Sequence, residues 1–288
     1  MSDKDTIERE RQFKPFEERM LEAGLDRVVI TTFRHYYYQL LSGGTGRISR
    51  LQIDPVEDVP DMEQLKDYSQ AGHAAIKKAV VIKLNGGLGT GMGMEKAKSL
   101  LEVKNGLSFL DICARQVLHF RSRYGCNLPL VLMNSFHTRS DSLAVLENYP
   151  ALHDEIPLDF LQHKVPKIDR QTLGPVNWKQ NPELEWCPPG HGDLYTALVT
   201  SGMLETLLAK GFEYAFVSNA DNLGAVLDGQ ILGYISTHKI PFLMEVANRT
   251  GADRKGWHLA RMKGWNINLR EVAQCPQEEE SEFKYITV

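Results

Sequence analysis

Cysteine is scarce and scattered in this chain of 288 residues. Cys113, Cys126, Cys187 and Cys275 are all there is, and no C-x-x-C pair joins any of them. That spacing argues against a disulfide framework or a structural zinc site and leaves reduced thiols at core or boundary positions. An excess of positive charge is missing as well. Lys and Arg number 33 against 37 Asp and Glu, a net charge of −4, so no strongly basic face for nucleic acid is expected. No uninterrupted apolar run approaches the ~18 residues of a membrane span. The opening Met1-Ser2-Asp3-Lys4-Asp5 has no apolar signal-peptide core, and a cytoplasmic location is the expectation. There is no H-E-x-x-H, His119, His137, His153 and His163 stand isolated, and no serine sits in a G-x-S-x-G elbow. Metalloprotease and serine-hydrolase chemistry therefore have no support. Internal repeats and low-complexity tracts are absent too.

Glycine, by contrast, is concentrated. The apolar run Ala79-Val80-Val81-Ile82-Lys83-Leu84 leads into Asn85-Gly86-Gly87-Leu88-Gly89-Thr90-Gly91-Met92-Gly93, five glycines in eight residues, with Glu95-Lys96-Ala97-Lys98-Ser99 following. Without a Cβ, successive backbone N–H groups can turn toward one point and form an anion nest, to which nearby lysines add full charge. The loop matches neither G-x-x-x-x-G-K-[ST] nor G-x-G-x-x-G, since no lysine follows a glycine and Met92 stands where a third glycine is needed. It reads either as a phosphate-binding turn for a nucleotide or as a plain flexible turn between strand and helix.

Residues 1–75 read as a helical lead-in. Phe13, Phe16, Met20 and Leu21 recur at helical spacing, and a second helix over Leu25–Leu41 stops at Ser42-Gly43-Gly44. Tyr36-Tyr37-Tyr38 reads as aromatic packing against the main body rather than as a base-stacking platform. The polar stretch 52–61 reads as a linker. Residues 76–288 then alternate strands (Ala79–Leu84, Leu130–Met133, Asp159–Gln162, Tyr214–Ser218, Phe242–Val246) with helices (Ser108–Tyr124, Asp193–Lys210, Asp228–His238). That alternation predicts an α/β fold, a largely parallel sheet with helices on both faces. Ligands in such sheets sit beyond the carboxyl ends of the strands, where the glycine loop, Asn134-Ser135, Gln162 and Asn219-Ala220-Asp221-Asn222 would share one rim.

Three further positions could carry chemistry. Asp221, at a strand end, can hold Mg²⁺, which needs only one or two carboxylates beside phosphate oxygens and water, or can close an Asx-turn. Pro188-Pro189-Gly190-His191-Gly192-Asp193 is a stiff loop that puts His191 near a helix N-terminus, where anions are favoured, with Asp193 as the expected N-cap. Lys98, read on a strand-like Lys98–Val103, would face the phosphates and stabilise transition-state charge, while Lys96 would face solvent.

Taken together and in order, Lys83-Leu84-Asn85-Gly86-Gly87-Leu88-Gly89-Thr90, Lys98-Ser99, Leu132-Met133-Asn134-Ser135-Phe136, Pro188-Pro189-Gly190-His191-Gly192-Asp193, Ser218-Asn219-Ala220-Asp221-Asn222-Leu223-Gly224 and Met244-Glu245-Val246-Ala247-Asn248-Arg249-Thr250 resemble the UTP–glucose-1-phosphate uridylyltransferase family over about residues 78–275. The resemblance implies a Rossmann-like nucleotidyltransferase behind a helical N-terminal segment. It implies that UTP and glucose 1-phosphate become UDP-glucose and pyrophosphate with Mg²⁺. By position, Leu84, Asn85, Gly86 and Gly87 would hold the nucleotide and Lys98 would neutralise its phosphates. Gln162, Gly190 and Met133 would lie on the uracil side, His191 near the sugar phosphate, Asn219 on the nucleotide and Asp221 on Mg²⁺. Many relatives carry Gly-Pro-Lys-Ser where this chain has Lys96-Ala97-Lys98-Ser99, so the lysine is kept and the proline is not. Family members continue past the equivalent of Val288, with more sheet, sugar-binding residues, a second phosphate-contacting lysine and a C-terminal β-helix. The chain is thus expected to be a fragment. Transfer to another sugar 1-phosphate, or UTP or UDP-sugar binding without turnover, remain the alternatives.

Overall fold

A computed structural model of the chain describes residues 3–56, 58–89, 96–248, 257–263, 267–271, 274–276, 278–279 and 285–287. Thr90 to Glu95 of the glycine loop, Arg249-Thr250 of the last motif, and Phe283, Lys284 and Val288 at the chain end lie outside the described residues. The helices are α1 (Asp3–Glu22), α2 (Arg27–Leu41), α3 (Ser69–Ile76), α4 (Phe109–Tyr124), α5 (Arg139–Leu146), α6 (Asp193–Thr200), α7 (Met203–Ala209) and α8 (Gly229–His238). The strands are β1 (Ile53–Pro55), β2 (Ala79–Asn85), β3 (Glu102–Lys104), β4 (Leu107–Ser108), β5 (Leu130–Asn134), β6 (Asp159–Leu161), β7 (Val165–Pro166), β8 (Trp186–Cys187), β9 (Tyr214–Asn219), β10 (Val246–Asn248), β11 (Trp257–Met262), β12 (Ile267–Glu271) and β13 (Tyr285–Thr287). None of the described helices is long and apolar enough to cross a membrane.

The lead-in helices form because Asp26 caps α2, its carboxylate accepting from Val28 N at 2.8 Å, and because their apolar stripes face each other. Phe13, Phe16 and Met20 pack with Val29, Ile30 and Tyr37 in a core of their own. Tyr37 is the buried member of the tyrosine triplet, and its hydroxyl donates to Leu173 O at 2.9 Å, while Tyr36 stays exposed. Arg19 pairs with Glu185 at 2.9 Å, so the lead-in is docked on the segment that carries β7 and β8.

The main body is the expected parallel sheet, four strands in the order β6-β5-β2-β9. β2 is apolar on both sides because helices cover both faces. Ala79, Val81, Leu130 and Leu132 pack with residues of α3, α4, α5 and α8, whereas Val80, Ile82, Val131 and Met133 pack with Leu194 and Ala197 of α6 and Met203 and Leu207 of α7. On α4 a capping box between Ser108 and Asp111 starts the helix, and Gly125 at φ 58° ends it.

Several expectations are corrected. The helix over 193–210 is two helices, broken at Ser201-Gly202, where Gly202 takes φ 75°. Asp193 does not cap α6; Gly192 precedes the helix without a side-chain cap, and the Asp193 carboxylate is engaged elsewhere. Lys98–Leu100 is a 3₁₀ turn closed by Leu100 N on Ala97 O at 2.9 Å, and the strand begins only at Glu102. Phe242–Glu245 is not strand; β10 starts at Val246. The stretch read as a linker contains β1, whose Ile53 is buried and which pairs antiparallel with β11. This second sheet, β1-β11-β13-β10 with β12 also on β11, is antiparallel and was not read from the sequence.

Candidate active site

Parallel register lines up the polar strand ends. Asn85 is level with Asn134, Leu84 with Asn219, and Asn134 with Leu161, so Gln162, Asn134, Asn85 and Asn219 follow one another along the carboxyl edge of the sheet. Two of them turn inward. Asn85 Nδ2 donates to Asn134 Oδ1 and to Ser142 Oγ, both at 2.7 Å; Asn134 Nδ2 donates to Asp159 Oδ2 at 3.1 Å; and Thr138 Oγ1 donates to Asn85 O at 2.7 Å. These buried groups satisfy one another and fix the edge from which the loops leave. Met133, one residue earlier, lies in the core at 1% exposure.

The glycine turn doubles back beside that edge. Lys98 N donates to Gly87 O at 3.0 Å and Gly89 N to Lys96 O at 3.2 Å, which delivers Lys98 to the rim and leaves Lys96 exposed. Across the rim, Ala220 N donates to Leu84 O at 3.0 Å, and the next residue, Asp221, forms an ion pair with the Lys98 ammonium. Residues 123 positions apart in sequence are thereby joined. On the other side of the glycines, a Cβ placed on Gly86 would stand 1.9 Å from Gln162 Nε2. Only glycine lets the Gln162 amide, on a buried side chain, lie against the turn.

Gly190, at φ 100° in the left-handed region, turns the Pro188–Asp193 loop, on which His191 is exposed. What holds this loop near Gln162 is Asp193. Its Oδ2 accepts the backbone N–H of His163 at 2.7 Å, its Oδ1 lies 2.9 Å from His163 Nδ1, and His163 Nε2 lies 2.9 Å from Thr200 Oγ1. His163 follows Gln162 directly and Asp193 follows His191 by two, so one knot ties together two segments predicted separately. As an isolated histidine His163 carried no sequence signal; a partner 30 residues away supplied the meaning.

Among the described residues no cluster of three or more His, Cys, Asp or Glu side chains could hold a metal ion. The donor set at the rim is the single Asp221 carboxylate, which fits Mg²⁺ completed by phosphate oxygens and water and does not fit a zinc or iron centre. The rim thus offers a glycine turn, an ammonium and a carboxylate facing each other, and an amide wall: parts suited to aligning a triphosphate and a base, with no nucleophile prepared for a covalent intermediate among the described residues.

Known proteins resemble this chain over most of its length. Residues 30–288 match the family model described as UTP--glucose-1-phosphate uridylyltransferase. A probable UTP--glucose-1-phosphate uridylyltransferase of Schizosaccharomyces pombe is 44% identical over 247 residues, 83% of this chain and 48% of that protein. The enzyme named so in Solanum tuberosum is 42% identical over 252 residues, 85% and 52% of the two chains. Among solved structures, a Trypanosoma brucei UDP-glucose phosphorylase superposes with a TM-score of 0.88 at 42% identity, covering 96% of this chain and 61% of that one. A Leishmania major UDP-glucose pyrophosphorylase variant in complex with UDP-glucose gives 0.85 at 39%, with the same coverage of 96% and 61%. The chain spans about half the length of the curated relatives it matches.

Proposed function

Since the chain belongs to the UTP–glucose-1-phosphate uridylyltransferase family, we propose that its rim binds UTP and, with glucose 1-phosphate, serves uridylyl transfer to give UDP-glucose and pyrophosphate. One observation carries the reading: Gly86 and Gly87, Gln162, Lys98 and Asp221 meet at a single edge of the sheet, from four separate strand ends and loops. In the reaction a phosphate oxygen of glucose 1-phosphate attacks the α-phosphorus of UTP in line, the new P–O bond forms as the bond to the β-phosphate oxygen breaks, and pyrophosphate departs with those electrons. The work left to the protein is alignment and charge stabilisation.

The glycine turn would present N–H groups to the phosphates, and the Lys98 ammonium would offset the charge gathering on the α-phosphate and the leaving group. Gln162, held against Gly86, would read the uracil edge, and Gly190 would let the backbone approach the base. His191 would donate to the sugar phosphate and Asn219 to the nucleotide. Mg²⁺ held by Asp221 and phosphate oxygens would supply further positive charge when bound. The inward bonds of the Asn85 side chain and the core position of Met133 support a bracing part for both side chains, which would leave the backbone at Asn85 to meet the nucleotide.

Pyrophosphate release from UTP, measured with glucose 1-phosphate, galactose 1-phosphate and N-acetylglucosamine 1-phosphate, tests the reading. UDP-glucose formation supports it. Turnover with a different sugar alone would reassign the acceptor, UTP-dependent thermal stabilisation without turnover would reduce the chain to a binding unit, and indifference to uridine nucleotides would remove the proposal.

A further inference from the structure

A second cleft lies behind the rim, on the sheet face that α4 and α8 cover. It has a volume of about 490 Å³ and runs between β2, α4 and the segment from Ala225 to Gln230. Val81, Val117, Leu128 and Phe216 give it an apolar floor. At its inner end stands Lys83, only 3% exposed. Its ammonium donates to Ser218 Oγ at 2.7 Å and to Ala225 O at 3.1 Å, and lies 5.6 Å from the centre of the Phe216 ring. Both protein acceptors are neutral. An ammonium has three protons to donate, and among the described residues no carboxylate lies within ion-pair distance of this one.

A buried cation without a counter-charge is unusual, because the desolvation it suffers is normally offset by an anion. Burial does pull the Lys83 pKa below the ordinary lysine value, against an opposing influence of Cys113. The mouth of the cleft carries a second cation, the exposed Arg123 of α4, with the exposed His119 imidazole beside it. Asp228, the acidic side chain of the lining, is already engaged, its Oδ1 accepting from Gln230 N and Ile231 N at the start of α8.

We propose that this cleft binds a small organic anion with an apolar body, its acidic group on the Lys83 ammonium and its body along Val117, Leu128 and Phe216. The volume is in the range of small-molecule sites, and the lining pairs an apolar floor with polar and charged side chains at its inner end and mouth. Occupancy also reaches the rim. Lys83 holds Ala225 O, and Gln116 Nε2, from the same lining, donates to Leu223 O at 3.0 Å, so two side chains of the cleft tether the segment that follows Asp221. An anion that draws the Lys83 ammonium away from Ala225 O loosens that tether, which makes the cleft an effector site for the carboxylate in front of it. Binding in the cleft stands on the cleft alone; the coupling rests on the rim being the UTP site.

Isothermal titration with octanoate, octanol and inorganic phosphate tests both. Octanoate is expected to bind at least tenfold more tightly than octanol, which has the chain without the charge, and than phosphate, which has the charge without the chain. Lys83→Met should bring octanoate to the level of octanol, and Val117→Phe, which fills the floor, should abolish octanoate binding while UTP still binds. Arg123→Glu at the exposed mouth should weaken octanoate severalfold even if Lys83→Met fails to fold. Octanoate binding no better than octanol, or unaffected by Val117→Phe and Arg123→Glu, overturns the site. Saturating octanoate should change the UTP dissociation constant at least threefold, and UTP that of octanoate by the same factor. Unchanged UTP affinity overturns the coupling and keeps the cleft, and octanoate binding by a protein indifferent to UTP overturns the uridylyl reading instead.

Discussion

Gly86→Ala is the sharpest perturbation of the rim, because the new methyl carbon has one thing to hit. It would stand 1.9 Å from Gln162 Nε2 and 2.8 Å from Gln162 Cδ, against the 3.4 Å at which ordinary contact begins. The amide at the end of a side chain can swing away, so the fold should survive. Gly72 and Gly233, where α3 and α8 cross, make the contrast: a Cβ there would meet backbone, Gly229 O at 1.8 Å and Tyr68 O at 2.1 Å, and Gly72→Ala should lower Tm markedly. At Gly86 the loss should fall on UTP instead. A displaced Gln162 would forfeit the bonds to the base proposed for it and leave a polar edge unpaired, together about 1–3 kcal/mol, or roughly a 5- to 150-fold rise in the UTP Kd. Titration calorimetry on wild type, Gly86→Ala, Gln162→Ala and the double variant decides the matter, since an effect routed through Gln162 must vanish once Gln162 is gone. If Gly86→Ala weakens UTP as much in the Gln162→Ala background as in wild type, the amide is not the route and the geometry has been misread.

Other expectations follow from the same structure. Lys98→Ala should lower the rate of pyrophosphate release roughly 100- to 1000-fold, the scale of removing one transition-state charge partner, with near-normal turnover refuting its role. Asp193→Asn should leave one His163 bond intact while weakening the other, raising KM for UTP and relaxing discrimination against CTP more than it lowers kcat; a fall in kcat alone would assign Asp193 a different part. For Asp111, burial acts to raise the pKa, and the bonds from Ser108 Oγ, Ser108 N and the Tyr149 hydroxyl outweigh it, holding the carboxyl below its ordinary value of 3.8. Its folded-state pKa being depressed, its contribution is complete above the unfolded value and is lost as pH falls through the folded one. Asp111→Asn should therefore weaken the start of α4 near neutral pH and show a flatter decline of Tm in acid, which thermal melts from pH 7 to 2 would measure.

The parallel sheet and the rim were legible in the sequence, because β2, β5 and β9 are local apolar runs that each end on an asparagine, and the polar Gln162 directly follows β6. Strand-end chemistry depends on neighbours along the chain, and so does the glycine turn. The breaks were less legible: Gly202 divides α6 from α7 inside a run whose apolar spacing is continuous, and its positive φ is a matter of packing rather than composition. The second sheet escaped notice because β1 is three residues of a polar stretch whose partner, β11, lies some two hundred positions on.

The sequence by itself determined which residues stand at the tips of which strands, since periodicity and punctuation are read over a few residues. Only the tertiary structure decided that Lys98 faces Asp221, that Asn85 turns inward to Asn134 and Ser142, that His163 ties Gln162 to the His191 loop, and that Lys83 is buried against Ser218 and Ala225. Each of these is a contact across a long loop of chain, and the direction in which a side chain points, toward ligand or toward scaffold, is set by what the fold packs beside it.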